Sequence, residues 1–428
     1  MKIILQKILA VLAKVTLWRY KPVVIDITGS VGKSSTREAI FAVLRTKYRV
    51  WRSEKNYNTE IGVPLTILGI SHHGHNVFGW FSALLCVLFR VLFREDEYPE
   101  ILVLEMGADR PGDIKYLARI APPFIAVLTA IGEIPAHVEF FAGPLEVAEE
   151  KAELLKALPP DGFAIINGDD ETLLEVKERT KAKKVSFGFD EYADVRISNY
   201  EIRVIEKGEL DYPDGISFKI ENNGNVVPVR IHGAFGKPHA YAASAAAAVA
   251  GALNMNLVEV SAALEGYEAG PGRGRLIRGI KGSYVIDDTY NASPESMRAG
   301  LELLQKIPGK RKIAVLGDML EIGKYTEEAH RVVGDQAAEI VNFLFTVGER
   351  AKYIADEAIT RGVEGRSRVL DTSHVFVFDD VVSAGRALDS MIQPGDIIFV
   401  KGSRAMHMEK VVEEIMAEPE KAESLLVR

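Results

Sequence analysis

Residues 25–36, with the sequence IDITGSVGKSST, constrain the fold of this chain more than any other stretch. The β-branched run that leads into them predicts a buried strand, and the residues from Lys33 onward predict a helix. A glycine turn between a strand and a helix gathers backbone N–H groups at the positive helix end, where an oxyanion binds. Lys33 adds a charge for the β- and γ-phosphates, and the Ser34 hydroxyl is a ligand for Mg²⁺. The stretch therefore predicts a nucleotide-phosphate site.

The spacing is a shortened form of the phosphate-binding loop. Ile27 occupies the position of the first glycine in G-x-x-x-x-G-K-[ST], so only T-G-x-x-G-K-[ST] is met. The alternative is a glycine turn with an incidental lysine, and a strand before it and a helix after it argue against that. The predicted nucleotide-binding residues of the loop are Thr28, Gly29, Ser30, Gly32, Lys33, Ser34, Ser35 and Thr36.

Composition narrows the class of protein. With 428 residues, the chain is long enough for two domains, each with its own core. A net charge of −8 with no strongly basic segment argues against a nucleic-acid partner. The single cysteine, Cys86, excludes an intramolecular disulfide and suits a reducing cytoplasm. Since Cys86 lies in an apolar run, we expect it to be buried.

Two apolar segments stand apart from this pattern. Residues 1–21 place six apolar side chains on one helical face and Lys7, Lys14 and Lys21 on another. They lack a small-residue cleavage site, which argues against a signal peptide. Such a helix either lies on a membrane surface or docks on its own domain, and the sequence leaves both open. The apolar run 77–93 is slightly short for a membrane span and predicts a buried or interfacial helix.

Further candidate site residues follow the predicted strands. Glu105 follows the apolar strand 101–104, at the sheet edge where ligands bind in open α/β folds, and it could reach the same Mg²⁺ as Ser34. A solvated strand-end glutamate is the competing interpretation. His137 in a loop and Lys151 on a glutamate-rich helix are unremarkable as residues alone, because surface histidines and helical ion pairs are common.

The order of several motifs resembles the Mur ligases, and most of all the branch that adds a D-alanyl-D-alanine dipeptide to a cell-wall precursor. The motifs are TGSVGKSST, NYNTEIGVP, VLEMGADRPGDI, AHVEFF, EKAELL, INGDD, PGRGR, IDDTYNASPESM, VLGDMLEIG and VKGSRAMHME. The resemblance implies an α/β fold, with a P-loop central domain whose sheet is mostly parallel and a Rossmann-like C-terminal domain. We expect an N-terminal amphipathic helix at 1–20, the central domain at 21–278 with an apolar insertion at 77–93, and the C-terminal domain at 279–428.

The resemblance also implies roles for single residues, with ATP between the two domains. Lys33 would hold the phosphates, Ser34 and Glu105 one Mg²⁺, and His137 a second Mg²⁺ helped by a carbamylated Lys151. Catalysis would rest on Lys33, His137, Lys151 and Arg273. The remaining implied ATP contacts are Arg273, His239, Asp288, Tyr290 and Asn291, and the implied substrate contacts are Asn56, Asn58, Lys401, Ser403 and Arg404. For Asp318 and His330, structural and functional roles are equally open.

The sequence departs from the family in two places. Only residues 1–21 precede the first strand, so we expect the N-terminal domain that holds the UDP-sugar to be lacking. In the adenine segment H-N-x-x-N, His239 is kept but Ala240 and Ala243 replace the two asparagines.

The implied reaction is ATP-dependent amide formation through an acyl phosphate, adding a dipeptide such as D-Ala-D-Ala to a muramoyl peptide. A carboxylate donor and an amine acceptor would be the small-molecule partners. The alternatives are a relative acting on a lipid-linked or folate-type acceptor, and a non-ligase P-loop ATPase. We expect a cytoplasmic protein with possible peripheral contact to the inner face of the membrane through residues 1–20 and 77–93.

Overall fold

The chain folds into two α/β units, each built of one sheet and the helices that pack on it. We call these units the first and the second layer. The computed structural model describes residues 2–54, 57–74, 76–93, 97–132, 138–141, 143–207, 210–363 and 369–427. The first sheet has nine strands in the order β2-β3-β1-β4-β5-β6-β7-β8-β9, and the second has six in the order β10-β11-β15-β12-β13-β14. Most neighbouring strands in both sheets are parallel, which confirms the predicted fold class.

The first layer contains the N-terminal helices and the P-loop. Its elements are α1 (Lys2–Tyr20), β1 (Val23–Thr28), α2 (Lys33–Leu44), β2 (Val50–Arg52), α3 (Gly62–Leu68), α4 (Val77–Phe93), β3 (Ile101–Glu105), α5 (Asp113–Ile120), β4 (Ile125–Leu128), α6 (Pro144–Lys156), β5 (Phe163–Asn167), α7 (Glu171–Val176), β6 (Lys183–Gly188), β7 (Val195–Lys207), β8 (Leu210–Asn222), β9 (Asn225–His232), α8 (Lys237–Ala252) and α9 (Leu257–Leu264).

The second layer follows the residues 265–274. Its elements are β10 (Arg275–Arg278), β11 (Tyr284–Asp287), α10 (Pro294–Lys306), β12 (Arg311–Gly317), α11 (Thr326–Ala338), β13 (Phe343–Val347), α12 (Lys352–Val363), β14 (Val375–Phe378), α13 (Val381–Met391), β15 (Asp396–Lys401), α14 (Glu409–Ile415) and α15 (Ala422–Leu425). Strand β10 pairs antiparallel with β11. Strand β10 therefore belongs to the second sheet, although Leu276 also bonds to Gly233 next to the first.

Alternation along β1 explains how one strand serves two cores. Ile25 and Ile27 face the core shared with α2 and α8, whereas Val24 faces the core shared with α3, α5 and α6. Strands buried on both faces read as continuous apolar runs, and this is why the strands around the P-loop were predictable. The antiparallel extension β7–β9 was not predicted, although the alternate burial of Val227, Val229 and Ile231 follows a clear period of two.

Small side chains set the packing of α8. Its buried face is almost entirely alanine, from Ala240 to Ala250, and it packs against α2 and the first sheet. Alanine lets two helix backbones approach closely, so the P-loop helix and α8 form one tightly packed unit.

The helix α1 packs on the first layer through one face and leaves its predicted apolar stripe exposed. Leu9, Ala13 and Thr16 are buried against the first layer. The stripe of Ile4, Ile8, Val11, Val15 and Trp18 points outward, on the same exposed side as Lys7 and Lys14. Docking and an outward apolar stripe therefore coexist on one helix.

The apolar run 77–93 forms the helix α4, as predicted. The expectation that its cysteine is buried was wrong, because Cys86 is exposed on the outward side of α4. Among the described residues, no helix is both long enough and apolar enough to cross a membrane.

Asp26 lies in the middle of β1, fully buried, and neither carboxylate oxygen meets a hydrogen-bond partner among the described residues. Burial raises the pKa of Asp26 well above its usual value, because an unpaired carboxylate in an apolar core is costly. The folded state therefore holds this proton more tightly than the unfolded state.

We expect the contribution of Asp26 to stability to be greatest in acid and to be lost as the pH rises through its folded-state pKa. Asp26→Asn should remove this pH dependence. The measurement is the free energy of unfolding of both proteins by urea between pH 5 and 8. A constant difference between the two across this range would contradict the prediction.

Candidate active site

The P-loop forms at the carboxyl edge of the first sheet, between β1 and α2. Gly29 has a φ of 150°, and a Cβ there would lie 2.0 Å from Thr129 Oγ1. Gly32 precedes the helix with a φ of 88°. The Ser30 N–H donates to the carbonyl of Ala130, at 2.6 Å, which fixes the loop on the end of β4. The turn thus requires glycine at both positions for backbone reasons.

Lys33 curls back over this loop. Its ammonium donates to the carbonyls of Gly29 and Ser30, at 2.8 and 3.4 Å. Burial lowers the pKa of Lys33, and the nearby Glu105 carboxylate opposes that shift. The lysine is held where it would meet phosphates bound in the loop.

The Ser34 hydroxyl is the centre of the site. It donates to Glu105 Oε2 at 2.7 Å, so the two residues predicted to share a metal ion lie side by side. Arg37, one helical turn further along α2, donates to the same carboxylate oxygen at 3.1 Å. Arg37 also forms two bonds to Glu38, so its guanidinium is fixed between two carboxylates. Sequence reasoning missed Arg37, although its position one turn after Ser34 puts it on the same helix face.

Arg273 reaches the P-loop from the segment between the two layers. Its guanidinium donates to Ser34 Oγ at 2.8 Å and lies 3.8 Å from the ring centre of Tyr290. Backbone bonds hold this segment to the second layer: Gly272 N–H donates to Asp287 Oδ2, and Tyr290 N–H donates to the Gly272 carbonyl. The predicted residues Ser34, Glu105, Arg273 and Tyr290 therefore meet in one place.

His239 lies in the core, with its ring between Tyr267 and the backbone of Arg273. Its ring is buried, with Nδ1 2.7 Å from the Tyr267 hydroxyl and Nε2 2.7 Å from the Arg273 carbonyl. Burial lowers the pKa of His239 to about 4, so the ring is neutral. A neutral ring that donates from Nε2 to the carbonyl must accept the Tyr267 proton at Nδ1. With both nitrogens used, His239 positions the backbone of Arg273.

Tyr267 belongs to the same group of buried residues, and sequence reasoning missed it. Its hydroxyl, the His239 ring and the Arg273 carbonyl form a continuous chain of hydrogen bonds from the core to the arginine. Burial raises the pKa of Tyr267, and Ser35 on the P-loop helix opposes that rise.

Lys151 is buried on α6, and its ammonium has no hydrogen-bond partner among the described residues. Burial, reinforced by the charge of Lys33, lowers the pKa of Lys151 to about 7. The carboxylate of Asp109 acts on both lysines, which places all three near the P-loop. Asp109 lies in the motif VLEMGADRPGDI, but it was not predicted as a site residue.

The second layer contributes a cluster at the ends of β11 and β15. The Lys401 ammonium donates to Asp288 Oδ2 at 2.5 Å and to the Asn291 carbonyl at 2.9 Å. Arg404 N–H donates to Asn291 Oδ1 at 3.3 Å. Three predicted ATP contacts and two predicted substrate contacts therefore occupy one neighbourhood, with Tyr290 beside Arg273.

Ser403, Asp318 and His330 hold loops together. Ser403 Oγ accepts the Leu320 N–H at 2.8 Å, and Asp318 Oδ1 accepts the Ala351 N–H at 2.7 Å. Both ring nitrogens of His330 bond to backbone groups of Met319 and Thr326. For Asp318 and His330 the structural interpretation fits these contacts.

Asn58 lies at the same edge of the first sheet. Its carbonyl accepts the Gly107 N–H at 2.9 Å, two residues beyond Glu105. Asn56 and His137, predicted as a substrate contact and a metal ligand, lie outside the described residues.

These features define a class of protein: a two-layer α/β nucleotide-binding enzyme in which an arginine between the layers touches the P-loop. Two family models match the chain, the Mur ligase middle domain at residues 87–250 and the Mur ligase glutamate ligase domain at 272–404. The UDP-N-acetylmuramoyl-tripeptide–D-alanyl-D-alanine ligase of Bacillus subtilis is 32% identical over 410 residues, covering 95% of this chain and 79% of that protein. The chain belongs to the Mur ligase family, whose members are ATP-dependent ligases.

Solved structures agree with this assignment. The MurF ligase of Thermotoga maritima in complex with ADP superposes with a TM-score of 0.77 and 28% identity, covering 98% of this chain and 84% of that one. Folylpolyglutamate synthase of Mycobacterium tuberculosis, at 16% identity and a TM-score of 0.63, shares the fold.

We expect Tyr267→Phe to weaken the placement of Arg273, because His239 Nδ1 loses its donor inside the core. The buried nitrogen left unpaired should cost ~1–3 kcal/mol of stability. Ligation should slow and the KM for ATP should rise, whereas Tyr241→Phe, which breaks a bond to Asp169 away from Arg273, should leave that KM unchanged. Steady-state kinetics at several ATP concentrations test this, and an unchanged KM in Tyr267→Phe would refute it.

Proposed function

We propose that this chain joins a carboxylate to an amine through an acyl phosphate, at the expense of ATP. The observation that carries the proposal is the contact of Arg273 with Ser34, which brings a cation from outside the P-loop to the phosphate site. A cation in this position can offset the charge of a phosphoryl group while it is transferred. The family and the ADP-bound neighbour support the same reaction.

In the first step, a carboxylate oxygen of the donor attacks the γ-phosphorus of ATP, and the bond from that phosphorus to the bridging oxygen of ADP breaks. The products are an acyl phosphate and ADP. Lys33 and Arg273 offset the negative charge of the transferring group, and the P-loop backbone orients it. Such a transfer depends on positioning and electrostatics rather than on a nucleophilic side chain.

Mg²⁺ fits the donors at this site. The Ser34 hydroxyl and the Glu105 carboxylate are hard oxygen ligands within hydrogen-bond distance of each other, and Mg²⁺ usually takes one or two such groups together with phosphates and water. When bound, the ion would neutralise charge on the β- and γ-phosphates. A carbamate on Lys151, together with His137, would hold a second ion.

In the second step, the amine attacks the acyl carbon and the phosphate leaves, giving an amide, inorganic phosphate and a proton. The acyl phosphate must be kept from water until then, which the close approach of the two layers favours. The cluster of Asp288, Asn291, Lys401 and Arg404 is our candidate for binding the amine substrate and the ribose of ATP.

For substrates, we infer a muramoyl peptide as donor and a dipeptide such as D-Ala-D-Ala as acceptor. The curated relatives with 30–32% identity carry this activity in their names. One alternative is a ligase that acts on a lipid-linked or folate-type substrate. The other is an ATPase that forms no amide bond.

We retain a division into an N-terminal helix, a P-loop domain and a C-terminal domain. The pairing of β10 with β11 supports a junction near residue 274 rather than 278.

We also propose that the protein works in the cytoplasm at the inner face of the membrane. The outward apolar stripes of α1 and α4 support contact through residues 1–20 and 77–93.

The decisive experiment incubates the purified chain with ATP, Mg²⁺, UDP-muramoyl tripeptide and D-Ala-D-Ala, and follows both ADP and the amide product. ADP release that requires both substrates would support the proposal. Release at the same rate without them would favour the ATPase. Parallel reactions with folate and glutamate, and with a lipid-linked muramoyl peptide, separate the alternative substrates.

Lys33→Ala should abolish ligation and leave the fold intact, because the lysine supplies charge to the phosphates. Loss of at least ~100-fold in kcat is expected for a group in direct contact with the transferring phosphate. Lys47→Ala, which changes an exposed lysine just past the same helix, is the matched control and should keep full activity. Near-normal turnover in Lys33→Ala would overturn the P-loop assignment.

Lys151→Ala should also lose activity, and short carboxylic acids should partly restore it by replacing the carbamate. With a pKa of about 7, a large fraction of Lys151 is the neutral amine at neutral pH, which is the form that reacts with CO₂. Lys156→Ala, an exposed lysine on the same helix, is the control. Full activity of Lys151→Ala without added acid would rule out this role, and mass spectrometry under bicarbonate tests for the carbamate directly.

A further inference from the structure

The helices α1 and α4 meet near their C-terminal ends, and both turn apolar side chains outward. Arg19 Nε donates to the Val91 carbonyl at 3.3 Å, and the Tyr20 hydroxyl donates to the Arg90 carbonyl at 2.7 Å. We call their outward surface the docking face. Its exposed members are Ile3, Ile4, Ile8, Val11, Val15 and Trp18 of α1, and Phe78, Phe81, Leu85, Leu88, Phe89, Leu92 and Phe93 of α4. Apolar exposure this concentrated marks an interaction site.

The charge on the docking face has one sign. Neither helix contains an aspartate or glutamate. Lys7 and Lys14 are exposed on the apolar side of α1, and the exposed Lys21 follows its end. An apolar surface rimmed by lysines suits an anionic bilayer, where each lysine is attracted and each apolar side chain leaves water.

A groove of about 400 Å³ opens beside Trp18 at the end of the docking face. Its walls are mainly apolar, and two cations stand at its edge; the lining residues are Lys14, Leu17, Trp18, Pro22, Val24, Arg119, Ile120 and Pro122. Among the described residues, neither Lys14 nor Arg119 has an ion-pair partner. The Trp18 side chain is 74% exposed, which suits an aromatic ring at headgroup level.

We propose that the docking face lies flat on an anionic bilayer, and that the groove holds the phosphate of one phospholipid between Lys14 and Arg119. Both helices would lie in the plane of the interface, with their buried faces on the protein and their apolar stripes among the acyl chains. This deepens the membrane contact proposed above and is independent of the ligase reaction. A second copy of the chain is a weaker occupant, because a symmetric contact would bring Lys7 and Lys14 against lysines.

The test measures co-sedimentation of the full chain with vesicles of phosphatidylcholine, with and without phosphatidylglycerol, together with tryptophan fluorescence. The wild type should bind the anionic vesicles at low salt and release them at high salt. Its emission should shift to the blue, and Trp18→Phe should remove that shift, because Trp80 is buried and the half-buried Trp51 packs against Tyr98 and Arg90 within the protein.

Two double variants test the charged and the apolar parts of the proposal separately, and a third double variant is the control for charge. Lys14→Glu with Arg119→Glu should weaken binding to anionic vesicles by at least ~10-fold. Lys47→Glu with Lys410→Glu, which makes the same charge change at exposed sites elsewhere, should change it little. Phe81→Gln with Leu92→Gln should weaken binding to both kinds of vesicle.

Wild type that stays in the supernatant with anionic vesicles at low salt would overturn the proposal. So would a stable dimer in sedimentation velocity without vesicle binding. If the Lys14 and Arg119 pair binds like the wild type, the phosphate groove is wrong. Ligation of soluble substrates is measured on the same variants without vesicles, so that failure of the ligase reaction with intact vesicle binding counts against the proposed function alone.

Discussion

The Ser34 hydroxyl, bonded on one side to Glu105 and on the other to Arg273, is the contact on which the site depends. It joins the end of β3, the start of α2 and the segment between the two layers. Three cations, Lys33, Arg37 and Arg273, lie around it. The carboxylates of Glu105 and Glu38 bond to Arg37, and those of Glu105 and Asp109 act on Lys33. Carboxylates of the protein therefore orient these cations at the place where the P-loop would hold phosphates.

Around this contact, neutral groups do the positioning. The chain from Tyr267 through His239 to the Arg273 carbonyl contains no full charge, because burial keeps the histidine neutral. These neutral hydrogen bonds hold the backbone of Arg273 and leave its guanidinium to contact Ser34 and the Tyr290 ring.

The sequence predicted what local patterns encode and missed what tertiary contacts decide. Continuous apolar runs and the glycine turn predicted β1, β3 and the P-loop, because strand burial and backbone strain are local properties. The role of His239 was assigned from the family motif, but its ring direction depends on Tyr267, distant in sequence. The face of α1 that docks could not be read from the sequence for the same reason: both faces carry apolar residues, and contact with α3 selects Leu9 and Ala13 for burial. Only their closeness in sequence to Ser34 and Glu105 could have pointed to Arg37 and Asp109 as site residues.

The glycines on either side of Arg273 bear on how the two layers could move. Gly272 bonds to Asp287 of the second layer, whereas Gly274 bonds to Phe235 of the first, so the arginine sits between the two attachment points. Because α2 and α8 are locked together by alanine packing, the first layer behaves as a rigid frame. Any rotation of the second layer about this pivot would displace a group in proportion to its distance from the pivot. Arg273, with almost no lever arm, would turn in place and keep close to the P-loop, while Lys401 and Arg404 would sweep through wider arcs. The same hinge would then let a bulky substrate enter without dismantling the phosphate site.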